Sequence, residues 1–134
     1  MSVGVTYLDH NASAPLLPEA RDAIVAALAL SGNPSSVHTH GRALRGLIDD
    51  ARARVATLAG ATREQVVFTG SATEAITQAI VGGARALGVG GIVVSAGEHA
   101  AVLKAAEATG LPVTTVGLDA EGRIRVEEIA AAMA

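Results

Sequence analysis

Three short apolar runs set the limits on this fold, because the first two lead into stretches of helical rather than strand periodicity. Residues 66–68, 92–95 and 113–118 are rich in Val, Ile and Thr and lack strict polar alternation, a pattern that suits strands buried on both faces. After the first run, Ile76, Ile80, Gly83 and Leu87 form one stripe at helical spacing. After the second, Val102, Leu103 and Ala106 do the same. Strand, helix, strand, helix, strand, with connections of crossover length, predicts right-handed parallel units. The expected class is α/β, a mostly parallel sheet flanked by helices.

Upstream of the first run, Pro15 and Pro18 open a predicted helix that reaches Leu30, with Glu19 suited to its positive end. Turn formers at 31–36 then separate it from a longer helix. In that helix Leu44, Leu47, Ile48, Ala51, Val55 and Leu58 share a face, and Gly60 stops it. Beyond the third run, residues 119–122 read as a turn and 123–126 are ambiguous. Residues 127–134 read as the start of another helix. No internal repeat or low-complexity tract interrupts this order.

A chain of 134 residues is one domain by length. Half of it is hydrophobic but only 1% is aromatic, Tyr7 and Phe68, so Ala, Val, Leu and Ile must build a densely packed core. The net charge of −3 gives no basic excess, which argues against nucleic acid as a partner. With no cysteine there is no disulfide, thiolate metal site or cysteine nucleophile within these residues. No stretch has the length of a membrane span and the N-terminus lacks a signal-peptide pattern, so a cytoplasmic location is expected.

The junction at 66–75 is the chemically suggestive one. An apolar run breaks at Gly70 and Ser71, and a helix begins with Ser71 as its cap and Glu74 as the capping-box partner. Free amides at that helix mouth, backed by the helix dipole, favour a phosphate, and the hydroxyls of Ser71 and Thr73 can add to them. A capped βα turn that binds nothing is the competing reading. His99 falls just past the end of the second run, at the sheet edge where α/β folds bind ligands. It could exchange a proton, lie on an aromatic ring or simply cap the next helix. Asp9, His10 and Asn11 occupy a polar N-terminal segment that is either a functional loop or a plain lead-in. His38 and His40 are two apart and share no helix face, so no metal site is expected. Arg42 could meet an anionic ligand or water.

Taken together, LDHNASAP (8–15), GNPSSVHTHGR (32–42), VVFTGSATEA (66–75) and SAGEHAAVL (95–103) resemble the N-terminal third of NifS/IscS-type cysteine desulfurases. These belong to the class V aminotransferase group of pyridoxal-phosphate enzymes. The resemblance covers essentially the whole chain, which it casts as the N-terminal portion of a fold type I large domain, truncated. Residues 1–35 would be an arm and helix, and 36–134 the start of the cofactor-binding domain. It implies that Ala72 and Thr73 hold the phosphate of pyridoxal 5′-phosphate and that His99 stacks on its ring and assists proton transfer as the catalytic residue. It places Asn11, Asn33, His38 and Arg42 near the substrate entrance and the dimer contact. The implied reaction converts L-cysteine to L-alanine and leaves a persulfide on the enzyme for iron–sulfur cluster or thio-cofactor assembly. The implied partners are a sulfur-acceptor or scaffold protein and, at full length, a second identical subunit.

Departures accompany the likeness. The family usually has Ser-Gly where this chain has Gly70 and Ser71, and a polar pair where it has Ile76 and Thr77. The family's cofactor-bearing lysine, its ring-nitrogen aspartate and its catalytic cysteine lie downstream of these residues. Lys104, the one lysine, is expected on the solvent side of an amphipathic helix. The chain alone is therefore expected to be inactive, and an uncovered strand edge predicts aggregation or association with a complementary chain. Another class V enzyme, such as a selenocysteine lyase or an aminotransferase, and a non-catalytic interaction module are the alternatives.

Overall fold

The computed structural model describes residues 6–10 and 12–133. These divide into two compact units, Met1–Val67 and Phe68–Ala134. The first unit is helical. Helix α1, Pro18–Leu28, starts on proline as expected, and none of its residues is buried. Helix α2, Thr39–Ala59, ends where Gly60 takes a left-handed φ of 65° and its amide closes on Ala56 and Thr57. The apolar stripe expected to be the inner face of α2 is only partly covered. Leu47, Val55 and Leu58 are exposed, whereas Gly41 and Ala56 are buried. The reason is local: the turn at 33–36 and the 3₁₀ turn Arg63–Gln65 pack on the Gly41 to Ala56 side of the helix.

The second unit is the α/β part. Helix α3, Ala72–Thr77, runs through a wide π turn, Gln78–Gly82, into helix α4, Gly83–Leu87, which Gly88 ends at φ 61°. Strand β1, Ile92–Ser95, leads to helix α5, Ala100–Glu107, then strand β2, Val113–Val116, and helix α6, Val126–Ala132. The strands pair in parallel with Ile92 opposite Val113 and Ser95 opposite Val116, the expected β-α-β unit. Val94, Ala101, Ala105, Ala106 and Val116 are its buried core, all small or medium aliphatics, as the composition requires.

Two strand expectations are corrected. Residues 66–68 are not assigned as a strand: Val66 is extended, at φ −95° and ψ 120°, and the sheet of the described residues is the two-stranded β1–β2 pair. Strand β2 stops at Val116. Leu118 turns back to form an antiparallel bridge with Ile124, across a turn in which Asp119 accepts from the amides of Glu121 and Arg123. That resolves the ambiguous 123–126 segment. The Glu128 carboxylate then accepts from Gly117 N and from Arg125, tying α6 to the end of β2.

Candidate functional site

Ser71 enters α3 at φ −161° and ψ 161°, the extended geometry of an N-cap, and its Oγ accepts from Glu74 N at 3.2 Å. Exchanging the family's Ser-Gly order therefore supplies a capping hydroxyl, and Gly70 needs no left-handed conformation. The capping box differs from expectation. The Glu74 carboxylate reaches past the cap to accept from Gly70 N at 2.8 Å, and Gln78 Nε2 steadies it at 3.1 Å. Thr69 Oγ1 donates to Ser71 O, fixing the turn from its other side.

This leaves the amides of Ala72 and Thr73, at the first two positions of α3, with no acceptor among the described residues. They precede the first intrahelical bond, so an outside acceptor can take both. The Thr73 hydroxyl likewise has no partner among the described residues. Two adjacent amides, a free hydroxyl and the helix dipole fit a phosphate, while the Glu74 carboxylate already occupies the neighbouring Gly70 amide.

His99 caps α5. Its Nδ1 accepts from Ala101 N at 3.1 Å, which leaves Nε2 without a hydrogen-bond partner among the described residues. The imidazole is exposed, four residues beyond Ser95 at the carboxyl end of β1. In that loop Gly97 N donates to the buried Ser95 Oγ at 3.1 Å. Helices α3 and α5 pack against each other, so the structure brings Ala72, Thr73 and His99 onto neighbouring helices of one unit. Lys104 is exposed on α5, as expected of a solvated side chain.

The remaining candidates lie in the first unit, except Asn11, which is outside the described residues. Asn33 Oδ1 accepts from Ser35 N at 2.8 Å and its carbonyl from Ser36 N at 2.9 Å, an Asx turn. His38 is the N-cap of α2, with Nδ1 accepting from Gly41 N at 3.3 Å. Arg42 donates to Val37 O, and Arg45 Nε donates to Pro34 O at 3.0 Å. The structure thus gathers Asn33, His38 and Arg42 around one helix mouth, each with part of its polar capacity spent on backbone. Gly41, whose packing role the sequence pattern does not reveal, is what permits this: a Cβ there would lie 2.7 Å from Asn33 O and 2.8 Å from Ser36 Cβ. Its signal was a glycine inside the first turn of a helix, where propensity disfavours it. No group of three or more potential metal ligands occurs among the described residues. Nor is any described helix long and apolar enough to cross a membrane.

Comparison with known proteins follows the same lines. The family pattern described as aminotransferase class-V matches residues 6–134. A cysteine desulfurase IscS from Dictyoglomus turgidum is 37% identical over 133 residues, covering 95% of this chain and 34% of the relative. A cysteine desulfurase from a Frankia species is 41% identical over 127 residues, 90% of this chain and 30% of the relative. Among solved structures, a NifS-like protein from Rickettsia africae superposes with a TM-score of 0.76 at 25% identity, covering 92% of this chain and 34% of that one. A second NifS-like protein gives 0.75 at 26% identity. The chain spans about a third of the length of the relatives it matches. On the family match, which runs through nearly all of its residues, this chain belongs to the class V aminotransferases.

Proposed function

We propose that the chain is the N-terminal, phosphate-holding part of a pyridoxal-phosphate-dependent cysteine desulfurase. The observation that carries the reading is the pair of acceptor-free amides at Ala72 and Thr73, on a helix packed against the one that His99 caps. When bound, the cofactor supplies an electron sink for bond cleavage next to an amino group. The chain's own residues do the holding. Ala72 N, Thr73 N and the Thr73 hydroxyl donate to the phosphate, and the α3 dipole favours its charge. His99, fixed by its Nδ1 contact to Ala101 N, presents its ring and Nε2 for stacking and proton exchange. Asn33, His38 and Arg42 border the substrate entrance. L-cysteine is the substrate of the whole enzyme and a sulfur-acceptor protein its partner, in a soluble cytoplasmic homodimer.

The cysteine desulfurase names of the relatives support the choice of reaction within the family. The chain holds one lysine, on the exposed side of α5, and no cysteine, so it organises cofactor binding without completing the chemistry. Equilibrium dialysis against pyridoxal 5′-phosphate tests the reading. Retention should be saturable, compete with inorganic phosphate, and fall about tenfold in Thr73→Ala, the equivalent of one charge-assisted hydrogen bond. Equal retention of pyridoxal, which lacks the phosphate, would contradict it.

A further inference from the structure

Glu74 is the one charged residue in the 66–75 stretch, and its side chain folds back onto the backbone just before the helix. Oε2 accepts from Gly70 N at 2.8 Å, and Oε1 accepts from Gln78 Nε2 at 3.1 Å, one helical turn further on. The Glu74 amide in turn donates to Ser71 Oγ at 3.2 Å. Gly70 and Ser71 are thus both tied to Glu74, one through its side chain and one through its backbone, while Thr69 Oγ1 donates to Ser71 O at 3.0 Å. The helix these bonds start continues from Ala72 through the π turn to Leu87.

Glycine serves at position 70 by its size. Its φ is not positive, and an added Cβ would lie 3.3 Å from Glu74 Oε2, tighter than an ordinary van der Waals contact. The Gly70–Ser71 order therefore offers a bare amide to the carboxylate and a hydroxyl to the Glu74 amide. Two effects on a phosphate at the Ala72 and Thr73 amides then oppose each other. A glycine whose amide is already bonded has less freedom to lose when its neighbours close on a ligand. Against that, a carboxylate beside the cradle repels an anion. Glu74 is exposed, so water and salt screen the repulsion but leave the ordering of the backbone intact, and the ordering prevails.

We propose that Glu74 is a positioning residue for the phosphate cradle, an inference that rests on the phosphate reading of this helix mouth. By holding the Gly70 amide it fixes the 69–71 turn, so that Ala72 N and Thr73 N are ordered before the ligand arrives. It acts through the turn and does not itself touch the phosphate. Gln78 supports it from the next helical turn by holding the second carboxylate oxygen. What the cradle needs from residue 74 is an acceptor of glutamate length, and the negative charge is incidental.

Three substitutions separate reach from charge. Glu74→Gln keeps an acceptor at the same reach and removes the charge. Glu74→Asp keeps a first-turn carboxylate but is one methylene too short for Gly70 N, and it remains a folded comparison should Glu74→Ala, which removes both, fail to fold. In equilibrium dialysis, retention of pyridoxal 5′-phosphate and of inorganic phosphate should fall roughly fivefold in Glu74→Asp and Glu74→Ala, and stay within about twofold of the unaltered chain in Glu74→Gln. Retention of pyridoxal should be the same in all four chains. Amide hydrogen exchange of the ligand-free chains reads the contact itself: Gly70 should be protected in the unaltered chain and in Glu74→Gln, and unprotected in the other two. Phosphate retention kept in Glu74→Asp and lost in Glu74→Gln, equal retention in all four chains, or an unprotected Gly70 amide in the unaltered chain would each overturn the positioning role alone. An unaltered chain with no saturable retention of either phosphate ligand would overturn the cofactor reading and the positioning role together.

Discussion

Replacing Gly41 by Ala measures how firmly the 33–36 turn is clamped to the mouth of α2. The added methyl would collide with Ser36 O, and would lie 2.7 Å from Asn33 O and 2.8 Å from Ser36 Cβ. Two of these neighbours are backbone atoms held by Ser36 N to Asn33 O at 2.9 Å and Arg45 Nε to Pro34 O at 3.0 Å, so relief requires moving the turn. Overpacking against such neighbours costs about 2–3 kcal/mol. Helix propensity returns about 1 kcal/mol, leaving a net loss of about 1–2 kcal/mol. Gly46, in the same helix, has nothing within 4 Å of an added Cβ, so Gly46→Ala keeps the propensity gain alone. Far-UV circular dichroism melts, dominated in this unit by the 21 residues of α2, should show Gly41→Ala lowered by about 5–15 °C. Gly46→Ala should be raised by about 4–8 °C. Equal stability of the two variants would refute the claim that Gly41 is selected by contact with the turn.

Two further outcomes follow from the hydrogen bonds. His99→Asn should preserve the cap on Ala101 N and the hydrogen-exchange protection of α5 while weakening pyridoxal-phosphate retention; His99→Ala should lose both, and equal cofactor retention in the two would remove the ring-stacking role. The Asp119 carboxyl is held below its ordinary range, first by the Arg123 backbone amide, against a smaller opposing effect of burial. Its contribution is present above the unfolded carboxylate range and lost as pH falls through the lowered folded value, so urea midpoints measured from pH 6 to pH 2 should fall less in Asp119→Asn than in the unaltered chain.

Much of this was readable in advance because local rules and tertiary packing agreed. Pro18 and Gly60 bound their helices as proline and glycine should, Ser71 capped α3, and the runs at 92–95 and from 113 paired in parallel. The failures share a cause, which is that a neighbour outside the local window decides the outcome. Val66, Val67 and Phe68 have strand composition, yet the sheet of the described residues is formed by β1 and β2. Leu47, Val55 and Leu58 have helical spacing, yet the face that is covered was set by Gly41 and the turn above it. Within the candidate site, Ala72, Thr73 and His99 were legible as helix-mouth residues. The Glu74 bond to Gly70 was not, because the residue pattern marks a capping-box carboxylate without fixing which amide of the turn it meets.

The most direct test of the anion cradle is an amide-resolved titration of the labelled chain by nuclear magnetic resonance, with pyridoxal 5′-phosphate, pyridoxal and inorganic phosphate in parallel. Binding as described shifts the Ala72 and Thr73 amides with both phosphate-bearing ligands, and the His99 imidazole only with the one that also carries a ring. Shifts confined to other residues, or equal shifts from pyridoxal, would contradict it.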